Sequence, residues 1–365
     1  MGPPEEEEGA EEAIGSPAPG LGWHSPALKG LFVIAAIHAL YVGRSFAVPV
    51  VIALLLSFVL APAVRLLRKL WVPAPLAAAL VLVLVVVAAG GAVYGLAGPA
   101  ATWIEQLPRS IDRLESRVGD LRGSVENMRE ATDRVEEMAT LGDEEEPQQV
   151  EMAGTGLGDS LFQLTVGFFV QLFFVIVLLY ALLASGELLV DKLMEVVPGV
   201  HDRDHMASIA GYTERQISRY LFTVTMINTA LGVVSGLAMF LLGMPNPFLW
   251  GFIAGLFNFV PIIGSMVTSS VLLLVATSEF SDFWRIVLPP LVFLALTGLE
   301  AYFVTPAVLA QRLTLNLVVV FLSLFFWGWL WGPAGALLAV PMLAALKIVS
   351  DQIDAMAPVS RLLGS

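Results

Sequence analysis

Between Met244 and Met266 the chain reads MPNPFLWGFIAGLFNFVPIIGSM, apolar enough for a membrane interior yet broken by three prolines and three glycines. Pro245 and Pro247 predict a turn, and Leu249 to Val260 a short helix interrupted or adjusted at Gly251. Pro261 lacks an N–H and restricts the residue before it, and Gly264 can take backbone angles closed to other residues. Irregular backbone inside lipid leaves polar groups unpaired. It persists only when buried in protein or lining a water-filled cavity. Broken helices of this kind mark binding sites in membrane carriers.

The composition agrees with that setting. Of 365 residues 57% are hydrophobic and 14% charged, against about 25% charged in soluble domains. Repeated apolar runs near ~20 residues predict an all-α polytopic membrane protein. Cysteine is absent, which removes disulfides, thiol nucleophiles and Cys-based metal sites. The net charge of −13 is local: residues 1–26 hold six glutamates and no base, and residues 99–156 hold fourteen acids against six arginines. The remainder is nearly neutral, and no basic patch suggests nucleic acid.

In chain order, residues 1–26 read as a disordered acidic tail and 27–98 as three membrane segments. Arg65, Arg68 and Lys69 after the second segment place that end in the cytoplasm, and with it the N-terminus. Residues 99–156 are then external. Their apolar positions Ile104, Leu107, Ile111, Leu114, Val118, Leu121, Val125 and Met128 step alternately by three and four, the heptad period of a coiled coil. That helix either lies on the membrane or pairs within a homo-oligomer, and the acidic run at 143–147 ends it.

A fourth span fills 157–185, a cytoplasmic amphipathic connector 186–220, the membrane core 221–350 and a cytoplasmic tail 351–365. In the connector, His201 and His205 have helical ligand spacing, but no third ligand accompanies them, so no metal is expected. Within the core, Gly232 and Gly236 form a GxxxG pair that allows close helix approach. Glu300 lies inside an apolar span, six residues before Pro306, which predicts a kink. A carboxylate there costs at least ~2.5 kcal/mol on insertion scales and faces a partner or a cavity.

Two stretches of the core share a layout: Leu249-Trp250-Gly251 with Gly255 and Pro261, and Leu330-Trp331-Gly332-Pro333 with Gly335 and Pro341. The broken segments 244–278 and 313–349 consist of pieces too short to cross a ~30 Å core. They read either as two re-entrant hairpins of an inverted repeat, or as parts of eight plain spans. Both arrangements keep the two termini in the cytoplasm.

These motifs carry a family resemblance. Gly243-Met244-Pro245-Asn246-Pro247, Leu249-Trp250-Gly251, Asn258 through Gly264, Glu300 with Thr305-Pro306, and Gly332 through Pro341 together resemble the autoinducer-2 exporter family of bacterial membrane proteins. The one departure is Leu317, where members commonly carry proline after the position of Asn316. The resemblance implies about eight membrane segments and a place in the bacterial inner membrane. It also implies export of a small polar signalling molecule or, as described for other members, sodium/proton antiport.

The expected function is therefore a secondary transporter, since no GxxxxGK[ST] pattern provides for ATP. Neither a cofactor nor enzymatic activity is expected. Glu300 is the expected coupling group. Asn258, Pro261, Gly264, Asn228 and Gln216 are the other candidates for a solute, Na+ or H+ pathway. An oligomeric scaffold or passive pore is the alternative from another class. The lipid bilayer and a second copy of the chain are the expected partners. A Ser281→Cys variant of this cysteine-free chain tests the hairpin topology: an impermeant maleimide should label it from outside, whereas labelling only from the cytoplasmic side favours eight plain spans.

Overall fold

The computed structural model describes residues 26–133, 157–185, 203–309, 315–353 and 356–364. The acidic tail, the 143–147 run, the connector up to 202 and Arg312 lie outside these residues. All described elements are helical: α1 (Pro26–Val42), α2 (Arg44–Lys69), α3 (Ala74–Asp133), α4 (Leu157–Ser185), α5 (Arg203–Leu241), α6 (Pro247–Phe257), α7 (Ile263–Glu279) and α8 (Phe283–Leu299). A π turn (Glu300–Val304) follows, then α9 (Thr305–Leu309), α10 (Leu317–Ser350) and α11 (Ala357–Leu363). Among the described residues, six helical stretches are long and apolar enough to cross a membrane. This is an all-α polytopic membrane protein.

Residues up to Ala47 form a unit of their own, in which α1 ends at Gly43, whose N–H donates to the Ala39 carbonyl at 2.8 Å. In the larger unit, α3 runs as one helix through the expected boundary near residue 98. Pro99 is carried inside it, and the Thr102 hydroxyl takes the Gly98 carbonyl at 3.1 Å. The heptad positions from Leu107 onward lie outside the described side chains. Likewise α5 joins the second half of the connector to the fifth span without a break.

With lipid as the solvent, side-chain packing and polar ties hold helices together more than apolar burial does. Arg65 on α2 bonds Glu214 at 3.3 Å and Ser218 at 3.0 Å on α5, and Ser218 donates to the Phe58 carbonyl at 2.7 Å. Trp103 on α3 meets Trp250 on α6 edge to face at 5.4 Å, in a core shared with Met239, Leu272 and Phe293.

Both broken stretches fold back on themselves. After α6 the chain turns through 258–262 into α7, with the positive φ of 64° at Ile262 and not at Gly264. Gly264 is required for another reason: a Cβ there would lie 1.8 Å from the Phe257 carbonyl oxygen. The turn pairs its own backbone, Val260 N–H to Phe257 O at 2.9 Å and Gly264 N–H to Val260 O at 2.9 Å. That local pairing is what an irregular segment inside an apolar bundle needs. Gly251, expected as a break, sits inside continuous helix because its missing side chain serves contact with α5 instead.

In α10 the break is Gly332, at φ 68° and ψ −150°, with Pro333 opening the second arm. The Ser323 hydroxyl donates to the Ala339 carbonyl at 3.3 Å. In a straight helix those residues would stand ~24 Å apart, so the arms are antiparallel. Gly335 repeats the role of Gly264, since its Cβ would lie 2.0 Å from the Trp327 carbonyl oxygen. The two stretches thus share a construction as well as a sequence layout.

The C-terminal segment is not free. Leu363 is buried with Val320, Leu324 and Val260, and Asn316 N–H donates to the Leu363 carbonyl at 3.0 Å. The Asn316 side chain caps α10 by accepting from Val318 N–H at 2.9 Å, so Leu317 opens the helix without a proline. Gly264→Ala should lower stability by about 2 kcal/mol or more through overpacking. Gly90→Ala, where nothing lies within 4 Å, should change it by less than about 0.5 kcal/mol. Thermal unfolding of the two variants in one detergent compares them directly.

Candidate functional site

The close crossing of α5 and α6 sets the geometry. A Cβ at Gly251 would come 2.5 Å from the Gly232 carbonyl oxygen, and one at Gly255 would come 2.8 Å from that of Asn228. Only glycine on both helices permits this approach, which brings the C-terminal end of α6 beside Asn228. Asn258 caps that end, its N–H donating to the Ala254 carbonyl at 3.1 Å. Its side chain faces α5 and the end of α8.

There Asn258 Nδ2 donates to Asn228 Oδ1 at 2.9 Å and to Glu300 Oε2 at 3.4 Å. Glu300 opens the π turn, and its Oε1 accepts from the Thr305 hydroxyl. The π turn makes that contact. Thr305 N–H bonds back to the Glu300 carbonyl, five residues earlier, and the wider turn carries both side chains to one side. It also absorbs Pro306, which would otherwise collide with the preceding turn.

The polarity of the chain is fixed from one end. Glu300 Oε2 accepts, so Asn258 presents its amide NH2 to it. The same NH2 reaches Asn228, which must then present its oxygen. Asn228 Nδ2 is left buried with no partner, and so is the Thr297 hydroxyl one turn before Glu300. An unpaired buried donor costs about 1–3 kcal/mol, a cost these two groups carry in this arrangement.

The residues that carry them line a cavity of about 470 Å³. Asn228, Asn258, Pro261, Glu300 and Thr305 line it, and Pro341 from the second arm of α10 closes it. Both broken stretches therefore contribute to one chamber. Most of its wall is apolar, from residues such as Leu221, Ile227, Leu294 and Val340, and no Lys, Arg or His is among the described lining residues.

Four of the six pathway residues expected from sequence, Glu300, Asn258, Asn228 and Pro261, meet here. Gln216 does not: its amide donates to the Tyr212 hydroxyl at 2.7 Å, elsewhere on α5. Gly264 lies buried in the turn and is no part of the lining. Thr297 and Thr305 were not singled out as site residues. Thr297, three before Glu300 on the same helical face, was open to detection; Thr305, five after it, comes round only because of the π turn.

The profile of the AI-2E family transporters matches residues 31–355, nearly the whole chain. The chain belongs to the AI-2E transporter family. Over 349 residues, 92% of this chain and 96% of its relative, it is 28% identical to a Haemophilus influenzae protein provisionally named for transport. It is 34% identical over 136 residues to the AI-2 transport protein TqsA of Escherichia coli K12, and 32% identical over 148 residues to the transport-named protein YhhT of the same strain. Those two matches span 39% of TqsA and 42% of YhhT.

Proposed function

We propose that this AI-2E family member is a secondary transporter of the bacterial inner membrane, which exports a small solute bearing polar groups and is driven by ion exchange at Glu300. The observation that carries this reading is the carboxylate with no basic partner among the described residues, held by Asn258 and Thr305 in a chamber walled by both broken segments. A membrane-embedded carboxylate of this kind binds a proton or a cation, and its occupancy biases the elements around it. On this reading the two folded-back segments are re-entrant hairpins, which bring unwound backbone and half-helix ends to the site as in other carriers. The basic cluster Arg65, Arg68 and Lys69 supports cytoplasmic termini.

Sodium/proton antiport is the second reading, favoured by the same membrane-embedded carboxylate. We further propose that the protein works as a homo-oligomer through its 104–128 heptad helix, which distinguishes assembly from transport and does not make the protein a passive pore.

Proteoliposomes under imposed proton or sodium gradients test the coupling. Gradient-driven proton movement, read by an internal pH dye, should fall to the leak level in Glu300→Gln. Unchanged flux with unchanged pH and sodium dependence removes Glu300 from the mechanism.

A further inference from the structure

The chamber around Glu300 is an unusual place to put a hydrophilic solute. Its polar groups, Glu300, Asn258, Asn228, Thr297 and Thr305, gather at one corner. The rest of the wall is mostly hydrocarbon, with Tyr220 and Ser265 as its other hydroxyl-bearing residues. A bulky organic cation suits both parts of such a wall: its charge pairs with the carboxylate and its body takes the apolar surface.

The size and the access agree. A volume of about 470 Å³ lies in the ~300–1,000 Å³ range of sites that hold drug-sized ligands. Asn228 and Phe259 also line a second space of about 640 Å³, an open apolar groove along the outer face of the α5–α6 crossing. Val233, Leu237, Phe248 and Phe252 form its sides, and all four are exposed. In a polytopic membrane protein such a face meets acyl chains, so the groove offers a lateral approach that ends at the partition made by Asn228 and Phe259.

We propose that Glu300 is a shared site for a proton and a lipophilic organic monocation, and that the cation reaches it from the bilayer along the α5–α6 groove. The proposal rests on the reading of Glu300 as the coupling group and names the substrate class of that site. Binding is an exchange. The carboxyl O–H bond breaks, the proton leaves to water, and the carboxylate takes the organic cation as its counter-ion. No electron moves, and the net charge of the occupied site is unchanged. Tyr220 from α5 is the other titratable side chain among the described lining residues. None comes from α6, α7 or α10.

The test uses the purified full chain in nanodiscs with tetraphenylphosphonium as probe, measuring binding by equilibrium dialysis and proton release in weakly buffered solution. Where proton and cation compete for the site, about one proton should leave per cation bound and affinity should weaken about tenfold for each unit of acidification. Glu300→Gln should bind about thirtyfold more weakly or worse and release no proton, while Glu300→Asp keeps both properties. Equal binding to Glu300→Gln, or binding without proton release at every pH, means apolar adsorption and overturns the proposal. If Glu300→Gln does not melt like the unaltered chain, proton release from the latter and from Glu300→Asp decides. Absence of tetraphenylphosphonium binding at every pH, with gradient-driven proton flux still dependent on Glu300, overturns the substrate class and leaves the coupling role standing. Absence of both removes the two together.

Discussion

Backbone amides inside an apolar bundle must be paired, and the core of this protein is built on two places where the helix that would pair them stops. At 258–262 and at Gly332 the chain reverses, and each reversal is tight enough to bond or shield its own peptide groups. The tightness has a specific cause. Gly264 and Gly335 lie against carbonyl oxygens of the preceding helix at distances no Cβ could share. The reversals put Pro261 and Pro341 on one chamber, so the same constraint that forces the turns also positions the site.

A second constraint acts on Glu300. A carboxylate in an apolar span needs donors, and two different local devices supply them. The glycine crossing of α5 and α6 lowers Asn258 into reach, and the π turn rotates Thr305 round to the other oxygen. Asn258 donates both to Asn228 and to the carboxylate, which leaves the Asn228 amide NH2 unsatisfied. A site with a held charge and spare donors is stable enough to exist empty and polar enough to prefer being filled.

Much of this was legible in the sequence. Length and apolarity of the runs give the membrane helices, and the paired Leu-Trp-Gly and proline motifs give the two broken segments. Glu300, Asn258, Asn228 and Pro261 stand out because polar or helix-breaking groups in lipid need a reason. What escaped depends on three-dimensional approach. Gly264 and Gly251 read as conformational breaks, whereas their role is to omit a side chain where two backbones meet. Gln216 looked like a pathway residue because polarity on a span carries no direction; its partner turned out to be Tyr212, one turn away. Thr305 needed the π turn, and the docking of Leu363 beneath α10 needed a contact between segments almost fifty residues apart, for which no local pattern exists.

The account depends most on the claim that the long apolar run 317–350 folds back at Gly332 and so delivers Pro341 to the Glu300 chamber. The chain has no native cysteine, so a Ser323→Cys, Ala339→Cys pair reports on this alone. Mild oxidation in the membrane should form an intramolecular disulfide, as expected of positions whose side chain and backbone already share a 3.3 Å hydrogen bond. If no cross-link forms and spin labels at the two positions report a separation of about 24 Å, the run is one continuous helix and the chamber described here is not closed by it.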